Sequence, residues 1–210
     1  MVIKSSDEWI PATKEGPQSF DGYKASNFND LYQDRCTIYI QPLDSSIRDE
    51  LLESCKLYCE AYYHGLPVKI RKHKDLTKMK IKNRHEGKYK QYLAGEILRE
   101  SRKWIPNDAY CMICVTNYDL YPKESWNFVF GLASLKDRTG LFSFARYDPS
   151  FFDEEKSANP ELIIYRSIRV MTHEIGHMFG IKHCVYYLCN MNGSMSAEEG
   201  RNKPGYLCPI

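Results

Sequence analysis

The spacing of apolar and polar residues changes period several times along this chain, and each change predicts an element. Up to residue 35 the apolar positions are scattered, with Trp9, Ile10, Phe20 and Phe28 set among Pro11, Gly16, Pro17 and Gly22. This predicts an irregular arm, residues 1–35, held to the domain by a few aromatics. Cys36–Ile40 is β-rich and predicts a first strand, stopped by Pro42. Asp44 or Ser45 can cap a helix running to about His64, because Leu51, Cys55, Tyr58, Cys59 and Tyr62 recur at helical spacing. Gly65 ends it, and Leu66–Ile70 predicts a second strand. Tyr89–Trp104 predicts a second helix, with Leu93, Ile97 and Leu98 toward the core and Pro106 closing it. The continuous apolar run Tyr110–Val115 suits a strand buried on both faces. Asp119–Pro122 reads as a turn or loop. Strands are then expected at about Asn127–Leu135 and Leu141–Arg146, joined by the polar stretch Lys136–Gly140 as a hairpin. After the polar stretch 148–160, Pro160 suits the first turn of a long helix, Glu161–Phe179, apolar through Leu162, Ile163, Ile168, Val170 and Met171.

The order is strand, helix, strand, helix, three strands, helix. That is an α/β (mixed α+β) plan: helical crossovers make the early strands parallel, and the hairpin puts one antiparallel strand at an edge.

The last helix carries chemistry as well as pattern. From His173 to His183 the chain reads H-E-x-x-H-x-x-G-x-x-H. Histidines four apart on a helix point the same way, one turn above the other, so His173 and His177 can close on one zinc ion. Glu174 stands beside such a metal, where a general base belongs. Gly180 can take the backbone angle that ends a helix, and the returning chain can offer His183 as a third nitrogen. Three protein ligands leave a fourth position for water, the arrangement of a catalytic rather than a structural zinc.

Composition narrows the partners. The 210 residues suit one domain, with 43% hydrophobic and 27% charged residues, and a net charge of +2 argues for neither nucleic acid nor membrane as a partner. Residues 71–90 are strongly basic, but without an accompanying aromatic or glycine pattern they read as a solvated loop or basic hairpin before a phosphate site. No apolar run follows a basic start in Met1–Glu8, and none approaches membrane-spanning length, so the expected location is cytoplasmic or nuclear, and the expected state monomeric.

The eight cysteines of such a chain are thiols or metal ligands before they are disulfides. Cys184, Cys189 and Cys208 follow the third histidine closely, flanking Met191 and the turn Asn192-Gly193-Ser194. They suggest a second, sulfur-held zinc, against the alternative of unligated thiols in a turn. A closed site wants four ligands, and a C-x-x-C pair would place its second cysteine one position beyond Ile210. Cys111 and Cys114, three apart on a strand, should face opposite sides of the sheet and share no metal. Cys55 and Cys59 read as buried apolar thiols.

His173 through His183, with a methionine soon after, resembles the metzincin clan of zinc peptidases. The further run of Cys184, Cys189, Met191 and Cys208 resembles one family of that clan, the archaemetzincins. Upstream, Asp119-Leu120-Tyr121-Pro122, Ser125–Gly131 and Phe142–Tyr147 extend the resemblance, which covers most of the chain from about Trp9. It implies a metzincin-like catalytic domain over 36–210, cut short at its carboxyl end, with a five-stranded mixed sheet whose edge strand, near Asn127–Leu135, binds substrate. It implies that His173, His177 and His183 hold the catalytic zinc, that Glu174 is the general base, and that Met191 forms an apolar floor. It also implies that Cys184, Cys189 and Cys208 hold a second zinc, for which the fourth cysteine is missing here. Some metzincins place an oxyanion-binding tyrosine two residues past the turn methionine; here that residue is Gly193, and no substitute stands out.

The expected function is therefore zinc-dependent hydrolysis of peptide bonds, in an endopeptidase or aminopeptidase-like mode, on peptide or protein substrates. Two other readings stand beside it. The incomplete cysteine set fits a zinc-stabilised binding protein that cleaves weakly or not at all, and the ligand chemistry also fits a zinc amidase acting on a small non-peptide amide.

Overall fold

The strands are β1 (Thr37–Pro42), β2 (Val68–Ile70), β3 (Asn83–Glu86), β4 (Tyr89–Leu93), β5 (Ala109–Thr116), β6 (Asp119–Tyr121), β7 (Gly131–Ala133) and β8 (Thr139–Ser143). The helices are α1 (Phe20–Lys24), α2 (Asp49–Tyr62), α3 (Ala94–Ser101), α4 (Pro160–Met178) and α5 (Ala197–Arg201). They belong to a computed structural model describing Trp9 and residues 15–26, 30–32, 34–153, 155–156 and 159–209.

Five strands form the main sheet in the order β2-β1-β5-β8-β7. All neighbours pair in parallel except β7 and β8, which pair antiparallel with Leu132 opposite Leu141. The mixed sheet, its parallel crossovers and its antiparallel edge strand agree with the pattern-based expectation. β5 lies at the centre with every residue buried, and its alternation divides the core in two. Cys111, Ile113 and Val115 meet α2 and α4 in one cluster with Ile38, Leu51 and Met171. Met112 and Cys114 meet Ile97, Leu98 and Leu120 in the other. Each such Ile or Leu contributes about 1.5–3 kcal/mol on full burial. Cys111 and Cys114 thus sit on opposite faces, as their spacing requires. Cys55 and Cys59 are buried on α2.

Several boundaries differ, for local polar reasons. Asp44 does not cap α2. Its carboxylate instead accepts from Ser46 Oγ, Thr116 Oγ1 and the Asn117 amide, and the helix begins at Asp49. The helix expected from Tyr89 starts at Ala94, because Tyr89–Leu93 is strand β4. Asp119–Tyr121 is not a turn but the buried strand β6. Together β3, β4 and β6 make a second sheet that the pattern did not reveal. Gln91 reads as helix and Asp119 as turn, yet both are buried in this sheet because each satisfies the other: Gln91 Nε2 donates to Asp119 Oδ2 at 2.7 Å. The strand expected over Asn127–Leu135 shrinks to Gly131–Ala133. Ahead of it Phe128 meets Phe130 edge to face and Phe130 stacks on Tyr147, at 5.2 and 5.3 Å between ring centroids.

The basic stretch does form a hairpin, β3–β4, in its second half. Of the arm's aromatics, Trp9 is buried but Phe20 is exposed, so α1 is held by polar contacts, such as Tyr23 OH donating to the Phe179 carbonyl at 2.9 Å. Ile10 and Phe28 lie outside the described residues. Among the described residues, no helix is long and apolar enough to cross a membrane.

Candidate metal centre

Asn159 Oδ1 accepts the Leu162 amide at 3.0 Å and starts α4, with Pro160 in its first turn. One stripe of the helix, through Ile163, Met171, Ile175 and Met178, is core. The opposite stripe, Arg166, Arg169, Val170, His173, Glu174 and His177, lines a cleft of about 880 Å³ beside β7. The helix ends at Gly180, whose φ of 87° is left-handed. Two reverse bonds close the end: Gly180 N–H to the His177 carbonyl at 2.8 Å, and Ile181 N–H to the Gly176 carbonyl at 3.1 Å. This turn delivers His183 back to the helix.

The three histidines converge. Each Nδ1 faces an oxygen: the Asn190 carbonyl for His173 at 2.8 Å, the Ile181 carbonyl for His177 at 2.7 Å, and Glu15 Oε2 for His183 at 2.9 Å. Carbonyl oxygens can only accept, so Nδ1 of His173 and of His177 carries the proton and Nε2 is left unprotonated, with its lone pair open to a metal. The His173 and His177 Nε2 atoms are 3.1 Å apart, and all three histidines can present ligand atoms within 4.8 Å of one another. Burial holds His173 well below the usual histidine range and brings His177 down to about 4, so both rings are neutral, as ligands must be.

Glu174 is buried against the edge strand. A Cβ on residue 131 would lie 2.5 Å from Glu174 Oε1, so β7 can approach the carboxyl this closely only with Gly131 there. Burial raises the Glu174 carboxyl to about 8, against the pull of the Lys203 ammonium. Beneath the site, Met191 is fully buried. Lys203 Nζ donates to the Asn192 carbonyl at 2.7 Å, and Asn190 Nδ2 donates to Thr172 Oγ1 on α4 at 2.9 Å.

The cysteines form a second group directly behind the first. Sγ atoms of Cys184 and Cys208 are 3.7 Å apart, and Cys189 completes a set within 4.8 Å. Cys189 Sγ accepts the amides of Met191 at 3.5 Å and Cys208 at 3.3 Å, while the Cys184 amide donates to the Met191 carbonyl at 2.9 Å. The two groups therefore share one turn. The sequence pattern indicated all seven of these residues. It did not indicate Glu15, Trp9, Asn190 or Lys203. Trp9 stacks edge-on against His183 at 4.7 Å, and nothing in the local sequence of these four marks such contacts.

A mixed sheet with a short antiparallel edge, laid beside a helix that presents two histidines and a glutamate, is the frame of a zinc-dependent peptidase. Residues 108–209 match the family model of peptidase family M54. The whole chain aligns at 35% identity with archaemetzincin-2 of Macaca fascicularis, spanning 67% of that protein. Among solved structures, the archaemetzincin of Archaeoglobus fulgidus complexed with malonate is 29% identical, covering 82% of this chain and 96% of that one, with a TM-score of 0.64. A zinc-dependent peptidase of Methanocorpusculum labreanum shares the fold with a TM-score of 0.68 at 24% identity, covering 82% of this chain and 96% of that one. The chain belongs to the archaemetzincins.

Proposed function

We propose that this chain hydrolyses peptide bonds, with His173, His177 and His183 as the ligands of a catalytic zinc and Glu174 as the general base. The convergence of histidine nitrogens carries this reading. Two nitrogens held on one tetrahedral zinc at about 2.0–2.1 Å stand about 3.4 Å apart, and His173 and His177 Nε2 stand 3.1 Å apart. The sulfurs fit equally well: zinc–sulfur bonds of about 2.3 Å place neighbouring sulfurs about 3.8 Å apart, against 3.7 Å for Cys184 and Cys208. We therefore assign Cys184, Cys189 and Cys208 as three ligands of a second, structural zinc.

Zinc at the histidines would supply an acidified water and a polarised carbonyl. The chain supplies the rest. Glu174, which Gly131 admits to the cleft edge and which the charge of a bound zinc would keep ionised, accepts the proton of the attacking water and returns it to the leaving amine. β7, at the edge of the main sheet, offers a peptide strand-like pairing across the cleft. Asn190, Ile181 and Glu15 hold the imidazoles in register by their Nδ1 bonds. Tyr63 OH donates to the Thr172 carbonyl at 2.7 Å and fixes the helix just before His173. Buried thiols such as Cys55, Cys59 and Cys111, beside cysteines placed as zinc ligands, favour an intracellular setting.

The test is zinc stoichiometry together with a peptide-library cleavage assay on the pure protein. We expect cleavage that disappears on chelation and returns with zinc. Zinc-loaded protein that cleaves no peptide would favour a binding protein instead.

A further inference from the structure

The cleft is asymmetric in charge. Beyond Glu174, toward the start of α4, four cations line it: Arg166, Arg169, Arg201 and Lys203. None has a carboxylate at ion-pair distance among the described residues. Glu174, and then Glu199, act on Lys203 only from a distance; the Glu199 oxygens accept the amides of Trp9 and Met195, at 2.8 and 2.7 Å.

The four are not loose surface charges. Arg169 is a tether. Its Nη1 donates to the carbonyls of Arg201 at 3.1 Å and Lys203 at 2.8 Å, and its guanidinium lies 4.1 Å over the Tyr165 ring. It thereby fixes the backbone that carries the other two cations. Lys203 is buried, with Nζ on the Asn192 carbonyl at 2.7 Å. Arg166 gives Nη1 to the Tyr147 carbonyl at 3.3 Å, while its Nε is buried with no partner among the described residues. Burial, and then Arg201, press against the Arg166 charge. Cations gathered at one end of a cleft with no ion-pair partner among the described residues leave room for an anion that would relieve them.

Their place relative to the scissile bond follows from β7. Gly131 touches Glu174, and the preceding residue, Phe130, stacks on Tyr147, whose carbonyl holds Arg166. The cations therefore lie toward the start of β7. A peptide running antiparallel to β7 puts its C-terminal half there, on the side of the leaving amine. We propose that this end of the cleft is a subsite for a carboxylate on the leaving-group side of the scissile bond: an acidic side chain next to that bond, or the substrate's own C-terminal carboxylate. Arg166, Arg201 and Lys203 face the anion, and Arg169 is a positioning residue. The inference rests on the peptidase reading for the direction of the peptide.

The test separates the two by measuring binding apart from cleavage. Zinc-loaded Glu174→Gln protein is titrated calorimetrically with end-blocked peptides carrying Glu, Gln, Lys or Leu at one position, and with an otherwise neutral peptide ending in a free carboxylate or an amide. We expect Glu, or the free carboxylate, to bind at least about tenfold more tightly than its neutral counterpart, because a charged hydrogen-bonding partner is gained. The arm that shows the preference identifies the source. Adding Arg201→Glu, at an exposed position, should turn the preference toward Lys, and adding Arg166→Met should abolish it. Equal binding of Glu and Gln, and of acid and amide, overturns the subsite, as does binding of no peptide. If the wild-type chain cleaves peptides without this preference, the subsite fails and the peptidase reading stands. If carboxylate-selective binding occurs without cleavage by the wild type, the reverse holds.

Discussion

Replacing Asp119 with alanine should damage the cleft from a distance. Asp119 lies on β6, and its side chain is 1% exposed. Oδ1 accepts Arg146 Nε at 2.8 Å, and Oδ2 accepts Arg146 Nη2 and Gln91 Nε2, both at 2.7 Å. Gln91 passes the connection on: it donates to the Asn127 carbonyl at 2.9 Å and accepts Arg84 Nε at 2.8 Å. Arg84 in turn donates to the carbonyls of Glu124, Trp126 and Asn127, and the Arg146 guanidinium covers Phe128 at 3.8 Å. This network holds the segment that leads into β7. Asp119→Ala leaves a nearly buried guanidinium unpaired, which costs about 3–5 kcal/mol. At about 2–4 °C per kcal/mol for a chain of this size, the melting temperature should fall by roughly 6–20 °C. Hydrogen exchange should rise at residues 124–131 more than in β1 or β5. The double variant Asp119→Ala with Arg146→Met should recover part of the loss, since it removes the unpaired charge. Thermal unfolding by circular dichroism and exchange by mass spectrometry measure both. A loss below about 1 kcal/mol, or single-variant losses that simply add in the double, would refute the reasoning.

Gly131→Ala would put a methyl group 2.5 Å from Glu174 Oε1. Turnover should fall at least about tenfold with zinc content unchanged, and unaltered turnover would show that the carboxyl does not depend on that approach. Glu15→Gln weakens the only carboxylate bond to a histidine Nδ1 among the described residues. Zinc affinity, read by chelator competition, should drop about 10–100-fold, and no change would mean that His183 is oriented without Glu15. Burial raises the thiols of Cys55 and Cys59 to about 12 and holds that of Cys111 well above the usual thiol range. At pH 8 all three should therefore resist alkylation in the native protein and react once it is unfolded; modification of the native protein, mapped by mass spectrometry, would contradict their burial.

The reach of the sequence is clearest at α4. Asn159, Pro160 and Gly180 are local signals, and each does locally what its chemistry predicts. The same holds for β5, whose short unbroken apolar run suits a strand buried on both faces and forms one. The second sheet was illegible because its stability is not local. Gln91 looks like a helix residue and Asp119 like a turn residue until the fold brings them together with Arg146 from beyond β8. The site divides the same way. His173, Glu174, His177 and His183 announce themselves by spacing. Glu15 reaches His183 across 168 positions, and no periodicity encodes a contact that distant. The cations of the cleft are hidden in the sequence for a related reason: they come from α4, from the end of α5 and from the turn after it, and only the Arg169 tether makes them one surface.

The central claim is that Glu174 moves the proton for a zinc held by three histidines. Its most direct test is Glu174→Gln, compared with the wild type for zinc content and peptide cleavage. Glutamine keeps the size of the buried side chain but cannot accept the water's proton. The account predicts one variant with unchanged zinc at the histidine site and cleavage reduced to background. A Glu174→Gln protein that keeps its zinc and cleaves at the wild-type rate would contradict it.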